Sequence, residues 1–240
     1  LAGTGGLVLV PGVQRATTHV ALADGRSGGG LGERYVIYNP SADAAAVLVG
    51  VVPYDADPSV LPEPFDIEVP ARRFVVLDLD GQARVPTDRP HWVRVDGISG
   101  VGVVVERVAR VAAAENPWGR ESGAAASTGT AAAARRWVLP WADRAASSTS
   151  QLAVANPSTD TIARVTVRRV GGGRAADLES GTVELGPGRG ALVDLGPAGD
   201  VPGAIVVTAS SAVVVERRVA AASGDDAALL PGVGTAGAFT

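Results

Sequence analysis

The residues of this chain that could do chemistry are two histidines, two acidic segments and one serine-containing turn. His19 and His91 lack the spacing of a metal site, and residues 55–57 (DAD) and 78–81 (DLDG) lack the full set of oxygen ligands that a calcium loop needs. Residues 97–101 (GISGV) miss the nucleophile-elbow pattern, because valine stands where that motif requires glycine. The sequence therefore predicts no catalytic residue, no metal ligand and no cofactor site, and a protein that is not an enzyme.

Composition excludes several classes of function. The 240 residues include no cysteine, which excludes disulfide frameworks, cysteine–zinc sites, iron–sulfur clusters and thiol nucleophiles. All 21 basic residues are arginine, so Walker-type phosphate loops and lysine Schiff bases are excluded too. The net charge of −4, without any basic run, argues against nucleic-acid binding. No apolar stretch approaches the roughly 18 residues that a membrane span requires.

The composition also bears on location. The chain starts at Leu1 and contains no methionine, so we expect a processed or trimmed product. A signal peptide or membrane anchor would then lie outside these residues. The absence of cysteine is compatible with an extracytoplasmic location.

The elements that must position any functional residue occur twice. Three blocks recur in the same order, and both copies of the first block contain Asn-Pro-Ser-x-Asp. The paired blocks are 33–46 (ERYVIYNPSADAAA) with 150–163 (SQLAVANPSTDTIA), 69–80 (VPARRFVVLDLD) with 185–196 (LGPGRGALVDLG), and 101–108 (VGVVVERV) with 211–219 (SAVVVERRV). This self-similarity predicts two copies of one module of roughly 100 residues.

Each copy consists of short runs of β-branched residues separated by Gly, Pro and Asp turns, with about seven runs in each copy. The sequence therefore predicts an all-β protein made of two tandem immunoglobulin-like antiparallel β-sandwiches. The predicted units are an N-terminal extension (1–18), a first β-sandwich repeat (19–111), a linker (112–134), a second repeat (135–220) and a C-terminal tail (221–240).

Comparison of the two copies assigns faces to the strands. Tyr35 and Ile37 keep their bulk in the second copy as Leu152 and Val154, so these positions are predicted to face the core.

The following strand shows an apolar row in the first copy that aligns with a polar row in the second: Val47, Val49 and Val51 with Arg164, Thr166 and Arg168. Because positions that tolerate polar residues face water, the three valines are predicted to form an apolar surface present in one repeat only. Such a surface would be covered by the linker with Trp118, or by a partner.

The repeated turn is the sharpest motif, Asn39-Pro40-Ser41 in one copy and Asn156-Pro157-Ser158 in the other. Proline confines the preceding residue to extended geometry, and an asparagine amide can satisfy the backbone groups of a turn. We therefore predict a structural role for Asn39, Pro40, Asn156 and Pro157. The alternative is a recognition loop that is used twice.

Glu106-Arg107 and Glu216-Arg217 follow the final valine run in both copies. Successive strand positions point to opposite faces, so the acid and the base need separate partners. The pairs are predicted to close the sheet edge, with Asp78 or Asp194 as candidate partners. The alternative is an interface.

Aromatic residues offer a second kind of surface. Tyr38, Trp118, Trp137 and Trp141 could form a platform on which a sugar ring stacks, and Tyr38, Trp118 and Trp141 are the candidates for an exposed position. The aromatic content of 4% is low for a lectin-like face, and Trp137 occupies a strand position suited to the core.

Through the Asn-Pro-Ser turn, the Val-x-Leu/Val-Asp-Leu strand and the closing Val-Val-Val-Glu-Arg, the chain resembles an actinobacterial family of secreted or membrane-anchored envelope proteins, a domain of unknown function. It is also similar to immunoglobulin-like repeats of bacterial surface proteins. The resemblance covers roughly residues 19–110 and 136–220. It implies extracytoplasmic residence, an anchor upstream, no catalytic residues, and an envelope or membrane protein as partner, with a glycosyltransferase as one candidate.

These expectations favour a non-catalytic extracytoplasmic scaffold or protein-interaction module of the bacterial cell envelope. The alternative is a cell-wall polysaccharide-binding module that uses exposed tryptophans.

Overall fold

The computed structural model describes residues 10–28, 31–57, 60–111, 123–141, 149–171, 174–195, 203–220, 227–231 and 233–234. Within these ranges the chain forms strands, turns and bends, and no helix. The prediction of an all-β protein is therefore confirmed. No described segment is a helix long and apolar enough to cross a membrane.

The first repeat is a sandwich of two antiparallel sheets. Sheet I has the order β1-β6-β3-β4, and sheet II has the order β5-β2-β7-β8. The strands are β1 (His19–Arg26), β2 (Leu31–Tyr38), β3 (Ala45–Pro53), β4 (Phe65–Val69), β5 (Phe74–Asp78), β6 (Pro90–Gly97), β7 (Val104–Val111) and β8 (Gly123–Thr128).

The second repeat has the same strand order. Its strands are β9 (Ala134–Trp141), β10 (Thr149–Ala155), β11 (Ala163–Gly171), β12 (Arg174–Leu185), β13 (Gly190–Asp194), β14 (Gly203–Ala220), β15 (Ala227–Pro231) and β16 (Val233–Gly234). The 18-residue strand β14 corresponds to β6 and β7 together, and it runs from one sheet into the other. Sheet III contains β9, the first part of β14, β11 and β12, and sheet IV contains β13, β10, the second part of β14 and β15.

The strand order differs from the predicted immunoglobulin order. In an immunoglobulin domain the first strand pairs with the second, and the sixth pairs with the seventh. Here β1 pairs with β6 and β2 pairs with β7, and the second repeat follows the same rule. The repeats are antiparallel sandwiches in tandem, because each pairing of the described strands joins strands of one repeat.

Three predicted boundaries need correction. The predicted linker, 112–134, contains β8, which extends sheet II beside β7. The predicted tail, 221–240, contains β15 and β16, which pair with β14 and β9. The predicted extension, 1–18, is joined to the first repeat by a bridge between Thr17 and Val103. An edge strand of small residues needs only its backbone donors and acceptors, so the pattern of its side chains does not reveal it.

Each repeat has its own core, built from the inward positions of both sheets. Tyr35, Ile37, Leu152 and Val154 are all buried in these cores, as predicted.

The predicted apolar surface of Val47, Val49 and Val51 is wrong, because these three side chains are buried in the core of the first sandwich. The preceding turn explains the error. Asn39 Nδ2 donates to the carbonyl four residues ahead, whereas Asn156 Nδ2 donates to the carbonyl five residues ahead. One extra residue in the second turn moves the alignment by one position, which exchanges the two faces of the strand. The true counterparts of Val47 and Val49 are the buried Val165 and Val167.

The asparagine of each Asn-Pro turn forms hydrogen bonds with backbone groups of the turn. The buried Asn39 donates through Nδ2 to the carbonyls of Asp43 (2.8 Å) and Val69 (3.0 Å), and its Oδ1 accepts from the backbone N–H of Ser41 (2.9 Å). In this way one amide joins the turn to the end of β4. Asn156 makes the same set of contacts in the second repeat, where it joins the corresponding turn to the end of β12.

Replacement of Val49 with arginine is expected to destabilise the fold by at least about 3 kcal/mol, because it places an unpaired charge in an apolar core. Chemical denaturation followed by circular dichroism measures this change. As the control, Ile162→Arg is expected to change stability by less than about 0.5 kcal/mol, because Ile162 is exposed. Equal stability of the two variants would contradict the assignment of Val49 to the core.

Replacement of Asn39 or Asn156 with alanine is expected to cost about 1–3 kcal/mol in each case, because buried carbonyls at both turns lose their donor. Thermal unfolding of the two variants gives the values. Asn39→Asp tests the donor alone, because aspartate keeps the acceptor atom and loses the N–H groups; we expect it to be no more stable than Asn39→Ala. A variant that kept its melting temperature and lost a partner would make the turn a recognition loop.

Candidate functional site

The described residues contain no group of three or more His, Asp or Glu side chains that could hold a metal ion. Among the aromatic candidates, Tyr38 is exposed, whereas Trp118 and the side chain of Trp141 lie outside the described residues. Trp137 is buried and donates through Nε1 to the carbonyl of Val213 (2.9 Å), so it belongs to a core and not to a surface platform.

A group of buried polar residues lies where the two sandwiches meet. The outer surface of sheet I packs on the outer surface of sheet IV through a third apolar cluster, in which Trp92 and Tyr54 come from the first repeat and Ala153 and Ala155 come from the second. Trp92 Nε1 donates to the carbonyl of Gly188 across this contact (2.9 Å). The repeats are therefore in direct contact.

A β-bulge in β1 places polar backbone groups at the edge of this contact. The register between β1 and β6 shifts between Leu22 and Gly25, and the intervening residues are Ala23 and Asp24. A bulge leaves backbone groups outside the ladder, and these groups need other partners. Tyr54 donates its hydroxyl to the carbonyl of Ala23, and the N–H of Asp24 donates to Oε2 of Glu216 in the second repeat (2.8 Å).

Charged side chains from both repeats complete an inter-repeat ion cluster, which consists of Asp24, Arg107, Glu216 and Arg218. Arg218 binds the carboxylate of Asp24 through two hydrogen bonds, of which the bond from Nε to Oδ2 is 2.9 Å. Arg107 Nη2 lies 3.5 Å from Oε1 of Glu216. All four side chains are buried, so each charge depends on partners from the other repeat for its stability.

The cluster shifts the pKa values of its members in opposite directions. Burial raises the pKa of Asp24, but Arg218 and Arg107 outweigh this effect and hold the pKa below its ordinary value. Burial raises the pKa of Glu216 above its ordinary value, and Arg107 offsets only part of that rise. Burial also raises the pKa of Tyr54, which keeps the proton that its hydroxyl donates to Ala23.

A second buried group supports the cluster from within the first sandwich. Glu33 accepts from the N–H of Arg26 (3.0 Å), and its Oε2 lies 2.9 Å from Nε2 of His91. The His91 ring lies against Gly25, where a Cβ atom would come within 2.6 Å of it. His91, one of the two histidines considered for chemistry, therefore holds the bulged strand in place.

The acid–base pairs of β7 and β14 each place one residue in the contact between the repeats, which is the role that the sequence analysis gave as the alternative. These two residues are Arg107 and Glu216, which contact each other. Asp78 pairs with Arg34 instead.

A groove of about 280 Å³ borders the contact between the repeats. Within it, His19 Nδ1 and Arg94 Nε lie 3.0 Å and 3.5 Å from the two carboxylate oxygens of Asp96. The other residues that line the groove include Trp92, Thr130 and Pro157.

The outer surface of sheet II carries exposed apolar side chains. Tyr38, Phe74 and Val76 are 41%, 63% and 47% exposed, and we call them the sheet II strip. Tyr38 lies directly opposite Phe74 in the ladder, and Val76 is the next outward residue of β5. The corresponding surface of sheet IV is the one that the first repeat covers.

Reasoning from the sequence identified Tyr38 and missed Phe74, Asp24 and Arg218. One signal for Arg218 was available: arginine stands where the first repeat has Val108, and a charge gained at an apolar position of a repeat requires a new partner.

No protein-family model matches this chain, and no curated protein matches it. Among solved structures, the Anabaena sensory rhodopsin transducer is 22% identical over a match that covers 40% of this chain and 91% of the other, with a TM-score of 0.34. A likeness at this level assigns no activity.

Replacement of Asp24 with asparagine is expected to cost about 3–5 kcal/mol at pH 7, because the buried Arg218 then loses the carboxylate that it binds through two hydrogen bonds. A folded-state pKa below the ordinary value means that Asp24 contributes stability above about pH 3.9 and that this contribution is lost as the pH falls further. The wild type and the variant should therefore approach each other in stability in acid. Urea denaturation between pH 3 and pH 7 measures both effects.

The matched control is Asp78→Asn, which removes an ion pair whose side chains are 38% and 43% exposed, and which should cost less than about 1 kcal/mol. If Asp24→Asn were as mild as this control, the ion cluster would not hold the repeats together.

Proposed function

We propose that this protein is a non-catalytic protein-interaction module of the bacterial cell envelope, and that it binds its partner through the sheet II strip. One observation carries the proposal. Tyr38, Phe74 and Val76 are exposed together on the outer surface of sheet II, whereas the matching surface of sheet IV is covered by the other repeat. An apolar patch on a sheet that is elsewhere used for packing is typical of an interface.

The location and the partner class rest on the sequence. The absence of cysteine and the resemblance to secreted or membrane-anchored envelope proteins support an extracytoplasmic position. The same resemblance supports an envelope or membrane protein as partner, with a glycosyltransferase as one candidate. Val47, Val49 and Val51 are buried and cannot form the interaction surface, whereas the sheet II strip is exposed and includes Tyr38, which the sequence predicts as a candidate for an exposed position.

Polysaccharide binding remains the second candidate, and the groove beside the inter-repeat contact favours it. His19, Arg94 and Asp96 present polar atoms there, which could bind sugar hydroxyl groups. Trp92 lines the same groove, but it is only 2% exposed and offers little ring surface for stacking. The sheet II strip presents more apolar surface, so protein binding is the better-supported function.

Phe74→Glu is expected to weaken recovery of an envelope protein in a pull-down from membrane extracts by roughly 30-fold, because a central aromatic anchor typically contributes about 2 kcal/mol or more. The matched control is Ile98→Glu, which alters another exposed apolar residue and should leave recovery unchanged. Quantitative mass spectrometry of the recovered proteins gives the ratio.

Equal recovery by both variants would exclude the sheet II strip as the interaction surface. A saturable change in tryptophan fluorescence on titration with envelope polysaccharide, lost in Arg94→Ala, would favour the second candidate instead.

A further inference from the structure

The contact between the repeats has large side chains on one side and small residues on the other. Sheet I contributes Trp92 and Tyr54, and sheet IV contributes Ala153, Ala155 and Gly190. The fit is close, because a Cβ atom added at Gly190 would overlap the Tyr54 ring. The N–H of Gly190 also donates to the carbonyl of Tyr54 (3.3 Å).

The two outward-facing sheets carry the opposite arrangement of sizes. In sheet II, Tyr38 pairs with Phe74 at the register where Ala155 pairs with Gly190 in sheet IV, so two aromatic side chains replace two small residues.

In sheet III, Val170 pairs with Ala204 at the register where Val52 pairs with Trp92 in sheet I, so alanine replaces tryptophan. Val170 is exposed and Ala204 is half-buried, which leaves an apolar strip of low relief on the far side of the molecule, beside the exposed Arg164 and Arg168 of β11.

We infer that the partner of the sheet II strip is a second copy of this chain, and that sheet II of one molecule stacks on the outer surface of sheet III of the next. This inference rests on the proposed function and names its partner. The stack repeats the contact already present inside the chain, in which an outer surface of one repeat packs on an outer surface of the other. Because the large and small sides are exchanged, Tyr38 and Phe74 fill the space above Ala204 that Trp92 occupies in sheet I.

A contact of this kind joins two different surfaces, so it is heterologous and leaves one free surface of each kind at the ends. Assembly therefore continues beyond a dimer. The joint between molecules lacks the charged cluster, because the backbone of β9 pairs with β14 without the bulge that presents Asp24 in β1. The joint between molecules is expected to dissociate on dilution, whereas the joint inside the chain is held by the covalent chain.

Sedimentation velocity of the full chain, at concentrations up to about 1 mM, tests the inference, because a dissociation constant at or below that value would be detected. The wild type should form species larger than a dimer as its concentration rises. Phe74→Glu blocks one surface and Ala204→Trp blocks the other, so each variant alone should remain a monomer. Val170→Glu serves as a second variant of sheet III if Ala204→Trp does not fold.

Mixing the two variants gives the decisive result. Phe74→Glu retains an intact sheet III and Ala204→Trp retains an intact sheet II, so an equimolar mixture should form a 1:1 dimer and nothing larger. Circular dichroism of each variant confirms that its fold is unchanged. A wild type that stays monomeric at about 1 mM would overturn the inference, as would self-association of Ala204→Trp or Val170→Glu alone.

Failure of this inference and failure of the proposed function give different results. A monomeric wild type together with a pull-down that Phe74→Glu abolishes would keep the protein-interaction function and replace the second copy by another protein. A monomeric wild type whose pull-down is unaffected by Phe74→Glu would remove both.

Discussion

The buried ionic contact between Asp24 in β1 and Arg218 and Glu216 in β14 is the interaction on which the arrangement of the two repeats depends. A charge taken out of water is stable only when its partners are in place, and here the partners come from different repeats. The first repeat alone would bury Asp24 without its arginine, and the second alone would bring Glu216 and Arg218 to a surface. The two sandwiches are therefore held as one unit, although each has a complete apolar core.

One inserted residue makes this contact possible. The bulge at Ala23 and Asp24 supplies an N–H, a carbonyl and a carboxylate at one place. The N–H and the carboxylate of Asp24 bind the second repeat, and the carbonyl of Ala23 accepts from Tyr54 of the same repeat. In the second repeat β9 runs past the same point without a bulge. Two of the Arg107 nitrogens, Nε and Nη1, have no hydrogen-bond partner among the described residues, so the cluster is only partly satisfied. Such a cluster favours one geometry of docking more than it adds stability.

The features that the sequence predicts are those set by local pattern. Repetition reveals the number of modules, β-branched runs reveal most strands, and the Asn-Pro-Ser motif reveals a turn at the end of a strand, because each depends on residues close together in the chain. The faces of β3 could not be assigned in this way. Because successive side chains of a strand point to opposite faces, one inserted residue in the alignment exchanges the buried and exposed positions of the strand. A comparison of the two copies does not show where that insertion lies. Strand β8 was not predicted, because its small residues pair through their backbone. The ion cluster was not predicted either, because it joins Asp24 to Arg218, which lie 194 positions apart in the sequence.

Divergence between the copies has left a molecule with two different ends. Both repeats keep the same strand order, so each has the same two outer surfaces, and stacking them in tandem consumes one surface of each kind. The outer surfaces of sheet II and sheet III stay free, and the sizes of their side chains are the reverse of those in the internal contact. Phe74 of sheet II stands where sheet IV has Gly190, and Ala204 of sheet III stands where sheet I has Trp92. If the free surfaces had only to remain soluble, polar residues would serve at these positions, as they do at Arg164 and Thr166 on sheet III. Aromatic residues at the one end and small residues at the other are instead what a directional stack of such repeats requires.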